Sequence, residues 1–313
     1  MTYTLLIVES PAKCGKIESY LGTGYKCIAS FGHIRELPGM KYIDVDNNFK
    51  PSFQLMDSKS QQINKMRTMI KNASEVLIAS DDDREGEAIG YHIIETFGLP
   101  LSTKRIIFHE ITKDAILKAV QHPTTLNMDL IHAQQARQIL DVIVGYKISP
   151  ILWEHVSRNT KTGLSAGRCQ TPALRIIYDN QKDIDASPGK KVYNTTGYFT
   201  QMNIGFSLNH SFEIIGFNTE VNTMEKFLED SADYDHIYNC SKPKQTTKTP
   251  PNPFTTSSLQ QRASSELNIS PKETMSICQK LYEGGYITYM RTDSTTYSME
   301  FIEKASEYIK DSY

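Results

Sequence analysis

The stretch Tyr286-Ile287-Thr288-Tyr289-Met290-Arg291-Thr292-Asp293-Ser294 sets a tyrosine two positions before an arginine, just past a helix expected to stop at Gly284 and Gly285. A phenol is a weak nucleophile at its ordinary pKa of about 10. Arg291, on the same side of an extended segment, could neutralise a phosphate under attack and so help it. One tyrosine among 17 is more often a packed core aromatic; the neighbours of Tyr289 favour the covalent reading. A second cluster, Asp81-Asp82-Asp83-Arg84-Glu85-Gly86-Glu87, offers hard oxygen ligands. Mg²⁺ keeps several waters, so two or three carboxylates suffice to hold it. Asp81, Asp83 and Glu85 are spaced i, i+2, i+4, which in extended backbone sends all three to one side. An arbitrary acidic run is more often a solvated loop or a helix start favoured by the dipole. The buried strand before this one and Gly86 within it argue for the metal. Glu9 and Lys13 are either an ordinary i, i+4 ion pair, worth ~0.3 to 0.5 kcal/mol, or a lysine serving a phosphoryl oxygen with a glutamate positioning it. Combined, the clusters describe metal-assisted phosphoryl transfer through a phosphotyrosine.

These residues need elements to position them. Residues 4–8 read as a buried strand, and Ser10 with Pro11 supplies a cap and a first helical proline for a helix to about residue 22. Residues 75–79 form a second apolar run before the acidic cluster, and a helix from about residue 87 to 97 closes on Gly98. Strand and helix patterns alternate over the first ~150 residues, as in a parallel sheet with helices on its faces. Ligands of such sheets bind beyond the carboxyl ends of the strands, so the Glu9 and Asp81 clusters are expected to face one crevice. Residues 193–217 carry aromatic and β-branched residues at short range, as in antiparallel strands. The proline-rich, apolar-poor stretch 240–253 reads as a linker and domain boundary. Ser270 and Glu273 have capping-box spacing, and Met275, Cys278 and Leu281 give the following helix an apolar face.

Composition bounds the remainder. The 313 residues, 39% apolar and 22% charged, suffice for two or more packed domains. A net charge of −2 gives no argument for nucleic-acid binding, which would need a local basic face. The five cysteines form no C-x-x-C pair and share no metal-ligand spacing with histidine, so reduced thiols are expected, with neither zinc nor disulfides. The short apolar start ends in a carboxylate and lacks a basic flank or cleavage site, which points to an intracellular, cytoplasmic chain without a membrane partner.

In this order the motifs resemble those of the type IA DNA topoisomerases, of the bacterial topoisomerase I kind. The segment from Val8 to Lys13 is similar to the family's opening VESPAK, and that from Gly32 to Pro38 to its GHIR-x-LP loop. The run from Asp81 to Gly90 resembles the metal motif of a Toprim domain. The segment from Gly163 to Pro172 is similar to LSAGR-x-Q, and the stretch from Pro253 to Ser294 to the helix and active-site strand. Where the family helix carries further arginines after Arg137, this chain has Gln138 and Val142.

The resemblance implies a mixed architecture, α/β plus α+β: a Toprim domain with a Rossmann-like parallel sheet at 1–153, a first part of a helical DNA-binding domain at 154–192, a partial β-rich arch or hinge domain at 193–253, and a partial active-site tyrosine domain at 254–313. It implies ATP-independent relaxation of negatively supercoiled DNA by single-strand cleavage, strand passage and religation. Tyr289 would form a 5′-phosphotyrosine and Arg291 would stabilise the scissile phosphate. Glu9 and Lys13 would lie beside it with Lys13 as acid, and Asp81, Asp83 and Glu85 would hold Mg²⁺. His33, Arg35, Arg137, Arg168 and Gln170 would contact single-stranded DNA. Family members continue through a histidine motif and return through the arch, so a fragment is expected, with a carboxy-terminal portion as possible partner. A non-catalytic single-stranded DNA-binding remnant and a Toprim metal-dependent nuclease are the alternatives.

Overall fold

Leu5, Leu6, Ile7 and Val8 are all buried to 1% exposure or less, as a strand covered on both faces requires. They lie in β1 (Tyr3–Val8). Ser10 caps the helix α1 (Pro11–Leu21) by accepting the Ala12 N–H, with Pro11 at its first position. Gly22 then turns the chain at φ 83° into β2 (Tyr25–Ala29), which runs parallel to β1 with Cys27 opposite Leu6. Four two-residue strands follow, β3 (Arg35–Glu36), β4 (Ile43–Asp44), β5 (Lys50–Pro51) and β6 (Gln54–Leu55), paired β3 with β6 and β4 with β5. The helix α2 (Ser60–Asn72) leads to β7 (Ala73–Ile78), parallel to β1 on its other edge with Ile78 opposite Ile7. The computed structural model describes the chain apart from residues 1, 157–162, 188, 190–191, 202–203, 214–218, 234, 236 and 238–240.

The sheet order β2-β1-β7 means that the chain leaves β1 to one side and later returns to the other. A crevice opens at such a switch point, beyond the ends of β1 and β7. Alternation divides β1 between two cores. Leu5 and Ile7 pack with Ile63 and Met66 of α2, while Leu6 and Val8 pack with Ile17 of α1 and with Tyr282 and Tyr289 from near the other end of the chain. Each such side chain contributes about 1.5 to 3 kcal/mol by leaving water.

Past the acidic loop comes α3 (Arg84–Phe97), closed by Gly98 in the left-handed region. It starts at Arg84, three residues before the expected start, because the Asp83 carboxylate accepts the Gly86 N–H at 2.8 Å and caps it. Then come α4 (Lys113–Gln121) and the 28-residue α5 (Met128–His155). Packing divides the chain into two compact units, residues 1–168 with 250–313, and residues 169–249. The second contains α6 (Gln170–Ala186), an antiparallel hairpin of β8 (Val192–Gln201) and β9 (Ile204–Glu213), and α7 (Thr219–Asp233). Strand pairing expected for 193–217 is thus found to residue 213, and 214–218 lie outside the described residues. In the stretch read as a linker, Cys240 lies outside the described residues and 241–249 are exposed and irregular.

The first unit is completed by α8 (Thr256–Leu267), α9 (Pro271–Glu283) and α10 (Met299–Ser312). Ser270 caps α9 by accepting the Glu273 N–H at 3.2 Å. The buried stripe of α9 is Thr274, Cys278 and Tyr282, whereas Leu281, expected in the apolar face, is 38% exposed. The stripe follows i, i+4, i+8, and its Cys278 and Tyr282 join the core of Leu6 and Val8. Among the described residues no helix is long and apolar enough to cross a membrane.

Candidate active site

Glu9 follows the end of β1, and Asp81 stands three residues past β7. The Glu9 carboxylate accepts the Asp81 N–H at 2.9 Å, tying the two strand ends together. Lys13, fully buried, forms an ion pair with the Asp81 carboxylate rather than with Glu9. The local i, i+4 pair is therefore not what forms. The first turn of α1 lies over the strand ends, where a buried lysine without an anion would be costly, and Asp81 is the buried anion it meets. The Lys13 ammonium also stands 4.9 Å from the centre of the Tyr282 ring, a cation–π distance. Burial, then the charge of Asp81, pushes the Glu9 carboxyl up to about 7. Asp81 is raised by burial too, with Lys13 opposing.

Asp83 joins this loop to the far end of the chain. One of its oxygens accepts the Tyr289 hydroxyl at 2.6 Å and the Arg291 guanidinium at 3.0 Å. Tyr289 is 7% exposed, and burial followed by its bond to Asp83 pushes the phenol well above its ordinary value. Its backbone N–H donates to the His109 carbonyl at 2.7 Å, and its ring meets that of Tyr282 at 5.1 Å. The Thr256 hydroxyl, at the start of α8, accepts the Thr292 N–H at 2.9 Å. The nucleophile candidate is thus fixed by backbone on both sides of Arg291.

Glu85 goes elsewhere. With the helix starting at Arg84, the extended backbone assumed for the i, i+2, i+4 argument ends at Asp83. The Glu85 carboxylate meets Gln134 at 3.0 Å, His33 at 3.3 Å and Arg137 at 3.6 Å. The His33 bond is the main reason its pKa falls to about 2. Among the described residues no three His, Cys, Asp or Glu side chains converge as a metal site would have them. The donor chemistry still fits a hard cation, because the charges of Asp81 and Asp83 both raise Glu9 and all three present oxygen. Of the residues expected on DNA, Arg137 also lies 3.9 Å from Asp141, and Arg168 donates to that same carboxylate at 2.9 Å. Arg35 donates to the Phe53 carbonyl at 3.1 Å and stands 3.6 Å from Glu95. Gln170 opens α6 in the second unit.

Arg105 escaped the sequence reading. It is fully buried, paired with Glu87 at 2.7 Å, and it donates to the Ser80 hydroxyl at 2.6 Å and the Asp81 carbonyl at 3.0 Å. The other Glu87 oxygen accepts the Asn127 N–H at 3.0 Å. Arg105 thus holds the acidic loop from behind. Nothing local marks it, since its partners stand 18 to 25 residues away. Tyr282 had a signal in the four-residue spacing from Thr274 and Cys278.

Comparisons with known proteins bear on this geometry. The profile of a family described as DNA topoisomerase matches residues 125–313, and that of the Toprim domain matches residues 4–111. The structure of full-length topoisomerase I from Thermotoga maritima is similar, with 37% identity and a TM-score of 0.83 over 99% of this chain and 52% of that one. The chain therefore spans about half the length of that relative.

Proposed function

Because this chain belongs to the DNA topoisomerase family, with the Toprim domain and topoisomerase I likeness of its type IA branch, we propose that Tyr289 cleaves one DNA strand by forming a 5′-phosphotyrosine. The observation that carries this reading is the placement of the Tyr289 hydroxyl and Arg291 on one Asp83 oxygen, beside the half-buried Glu9 and the buried Lys13 and Asp81. A scissile phosphate entering the site takes the place of Asp83 on Arg291. The phenol gives up its proton, with Asp83 as the acceptor already in hydrogen-bond contact, and its oxygen bonds to phosphorus. The bond from phosphorus to the 3′ oxygen breaks, and that oxygen takes a proton from the Glu9 and Lys13 side. A Glu9 carboxyl at about 7 carries a proton in a large fraction of molecules near neutrality, as an acid catalyst requires, while Lys13 supplies positive charge. Religation reverses these steps, and the bond energy kept in the phosphotyrosine removes the need for ATP.

Mg²⁺ would be held by Asp81 and Asp83, with Glu9 adjoining and Glu85 after leaving His33, and would supply positive charge beside the phosphate. His33, Arg35, Arg137, Arg168 and Gln170 are proposed contacts to single-stranded DNA in a negatively supercoiled substrate. Relaxation with strand passage is proposed for the whole protein, acting on DNA inside the cell.

The test is denaturant trapping on single-stranded oligonucleotides labelled at either end, with and without Mg²⁺. A covalent adduct on the strand downstream of the cut, lost in Tyr289→Phe, is the expected result. Cleavage that survives Tyr289→Phe would replace this reading with a metal-dependent nuclease.

A further inference from the structure

Bonded to the backbone of Glu9 stands an aromatic residue that the proposed chemistry leaves unused. Phe31 lies two residues past β2 and is 49% exposed, although phenylalanine is among the residues most often fully buried. Its φ is 58°, and that of Gly32 after it is 86°. Glycine takes this left-handed region freely, whereas a bulky side chain does so at a cost and only where its surroundings hold it. Here they do. The Phe31 N–H donates to the Glu9 carbonyl at 2.9 Å, and the Ser30 N–H before it donates to the Val8 carbonyl at 2.8 Å. Lys59, the residue before α2, donates from its ammonium to the Phe31 carbonyl at 2.7 Å. The same ammonium stands 5.7 Å from the centre of the Phe31 ring, a cation–π distance. A half-exposed ring is thus fixed by backbone beside the site, with a cation on it, at the head of the loop that carries His33 and Arg35.

We propose that Phe31 is a stacking platform for one base of single-stranded DNA, on the side of the cut that bears the 3′-hydroxyl, with Lys59 on a phosphate of the same strand. This deepens the reading of Tyr289 and rests on it. Glu9 and Lys13 border the 3′ oxygen as it leaves, and Phe31 is bonded to the Glu9 backbone, so the base upstream of that oxygen is the one the ring serves. A phenyl face stacks on any base, which gives binding with little sequence preference. An ammonium has three donors, so Lys59 can hold the Phe31 carbonyl and a phosphate oxygen together.

The consequence lies in religation. After cleavage the downstream strand is tethered to Tyr289 through its 5′ phosphate, whereas the upstream strand is held only by non-covalent contacts. A base stacked on a ring that the backbone fixes keeps the 3′-hydroxyl beside the phosphotyrosine, and a reacting group held in place reacts faster than one that drifts. Phe31 is in this sense a positioning residue: it touches the strand, and the bond is made elsewhere.

The cut on a single-stranded oligonucleotide is mapped with end labels, and 2-aminopurine, whose emission stacking quenches, is placed as the base just upstream of it. The full chain carrying Tyr289→Phe, which leaves the strand intact, is titrated with this probe, by itself and combined with Phe31→Asn or Phe31→Tyr. Asparagine accepts the left-handed region, so Phe31→Asn keeps the turn and removes the ring. The expected result is quenching that Phe31→Tyr retains and Phe31→Asn loses, with affinity about tenfold weaker in Phe31→Asn, the scale of one stacked base. Quenching and affinity that survive Phe31→Asn overturn the proposal. So does an equal loss in Phe31→Tyr and Phe31→Asn, which would make the residue structural only. If the chain with Tyr289 intact forms no adduct, it is the reading of Tyr289 that fails and the assignment to one side of a cut falls with it; 2-aminopurine moved along the oligonucleotide then decides the stacking on Phe31 by itself.

Discussion

Asp83 bears three bonds with one carboxylate, to Gly86, Tyr289 and Arg291, so replacing it affects both a helix start and the site. Arg291 is a cleaner probe, since it is 54% exposed and the Asp83 oxygen it leaves still accepts the Tyr289 hydroxyl. Arg291→Ala should retain the fold and slow adduct formation on the order of 10²-fold, the scale for a lost charge stabiliser; equal rates would remove Arg291 from the chemistry. Arg105 is the opposite case, because Arg105→Ala leaves the Glu87 carboxylate buried without its cation. It should lower stability by about 3 to 5 kcal/mol in urea unfolding. His92 is 1% exposed, and burial, then His33, pushes its pKa down from 6.5 to about 3. Unfolded chains take up that proton at 6.5 and folded ones do not, so His92 costs stability as pH falls from 6.5 toward 3, by up to about 1.4 kcal/mol per pH unit. Glu9 opposes it between about 7 and 4.5, since the folded state holds that proton more tightly. His92→Leu should therefore gain on the wild type steadily as pH falls through that window, a comparison in which Glu9 cancels.

At the scale of elements, the acidic loop has its shape because β7 ends deep in the sheet and α3 begins at once on an aspartate cap. Gly86 is where that tight passage shows. A β-carbon there would stand 2.1 Å from the Asp81 carbonyl oxygen, a backbone atom with no room to yield. Gly86→Ala should cost roughly 3 kcal/mol or more, read as a large fall in melting temperature together with weakened adduct formation. Gly285 limits the other approach, at φ 71° with the Ile111 carbonyl 2.9 Å from where a β-carbon would be. The helix α9 thus ends where the chain must turn to carry Tyr289 past His109.

The whole molecule brings residues 250–313 into one unit with 1–168 and leaves 169–249 as a unit of its own. The connection before residue 250 is exposed and irregular and contains Lys242, Lys244 and Lys248. Brief trypsin treatment should cut there early, since exposed irregular segments are cleaved first. The piece carrying Tyr289 should then stay with the piece carrying Asp81 in gel filtration without denaturant, because Tyr282, Tyr289 and Met290 share a core with Leu6 and Val8. Separation of those pieces would contradict the packing of the first unit.

Taken by itself, the sequence determined the groups available for chemistry and the elements next to them. The strand before Glu9, the Ser10 and Pro11 start, the stop at Gly98 and the Ser270 cap all depend on neighbours within about four residues, so they are legible locally. The family likeness also lay in short motifs. Only the tertiary structure decided which charges meet. Lys13 turned from Glu9 to Asp81, 68 residues on, and the Asp83 carboxylate met a tyrosine 206 residues away. Glu85, by contrast, left its neighbours for His33 and Gln134. A buried charge takes whichever partner the packing brings within reach, because leaving it unpaired costs more than any local preference supplies, and that choice is written in the fold rather than in the spacing.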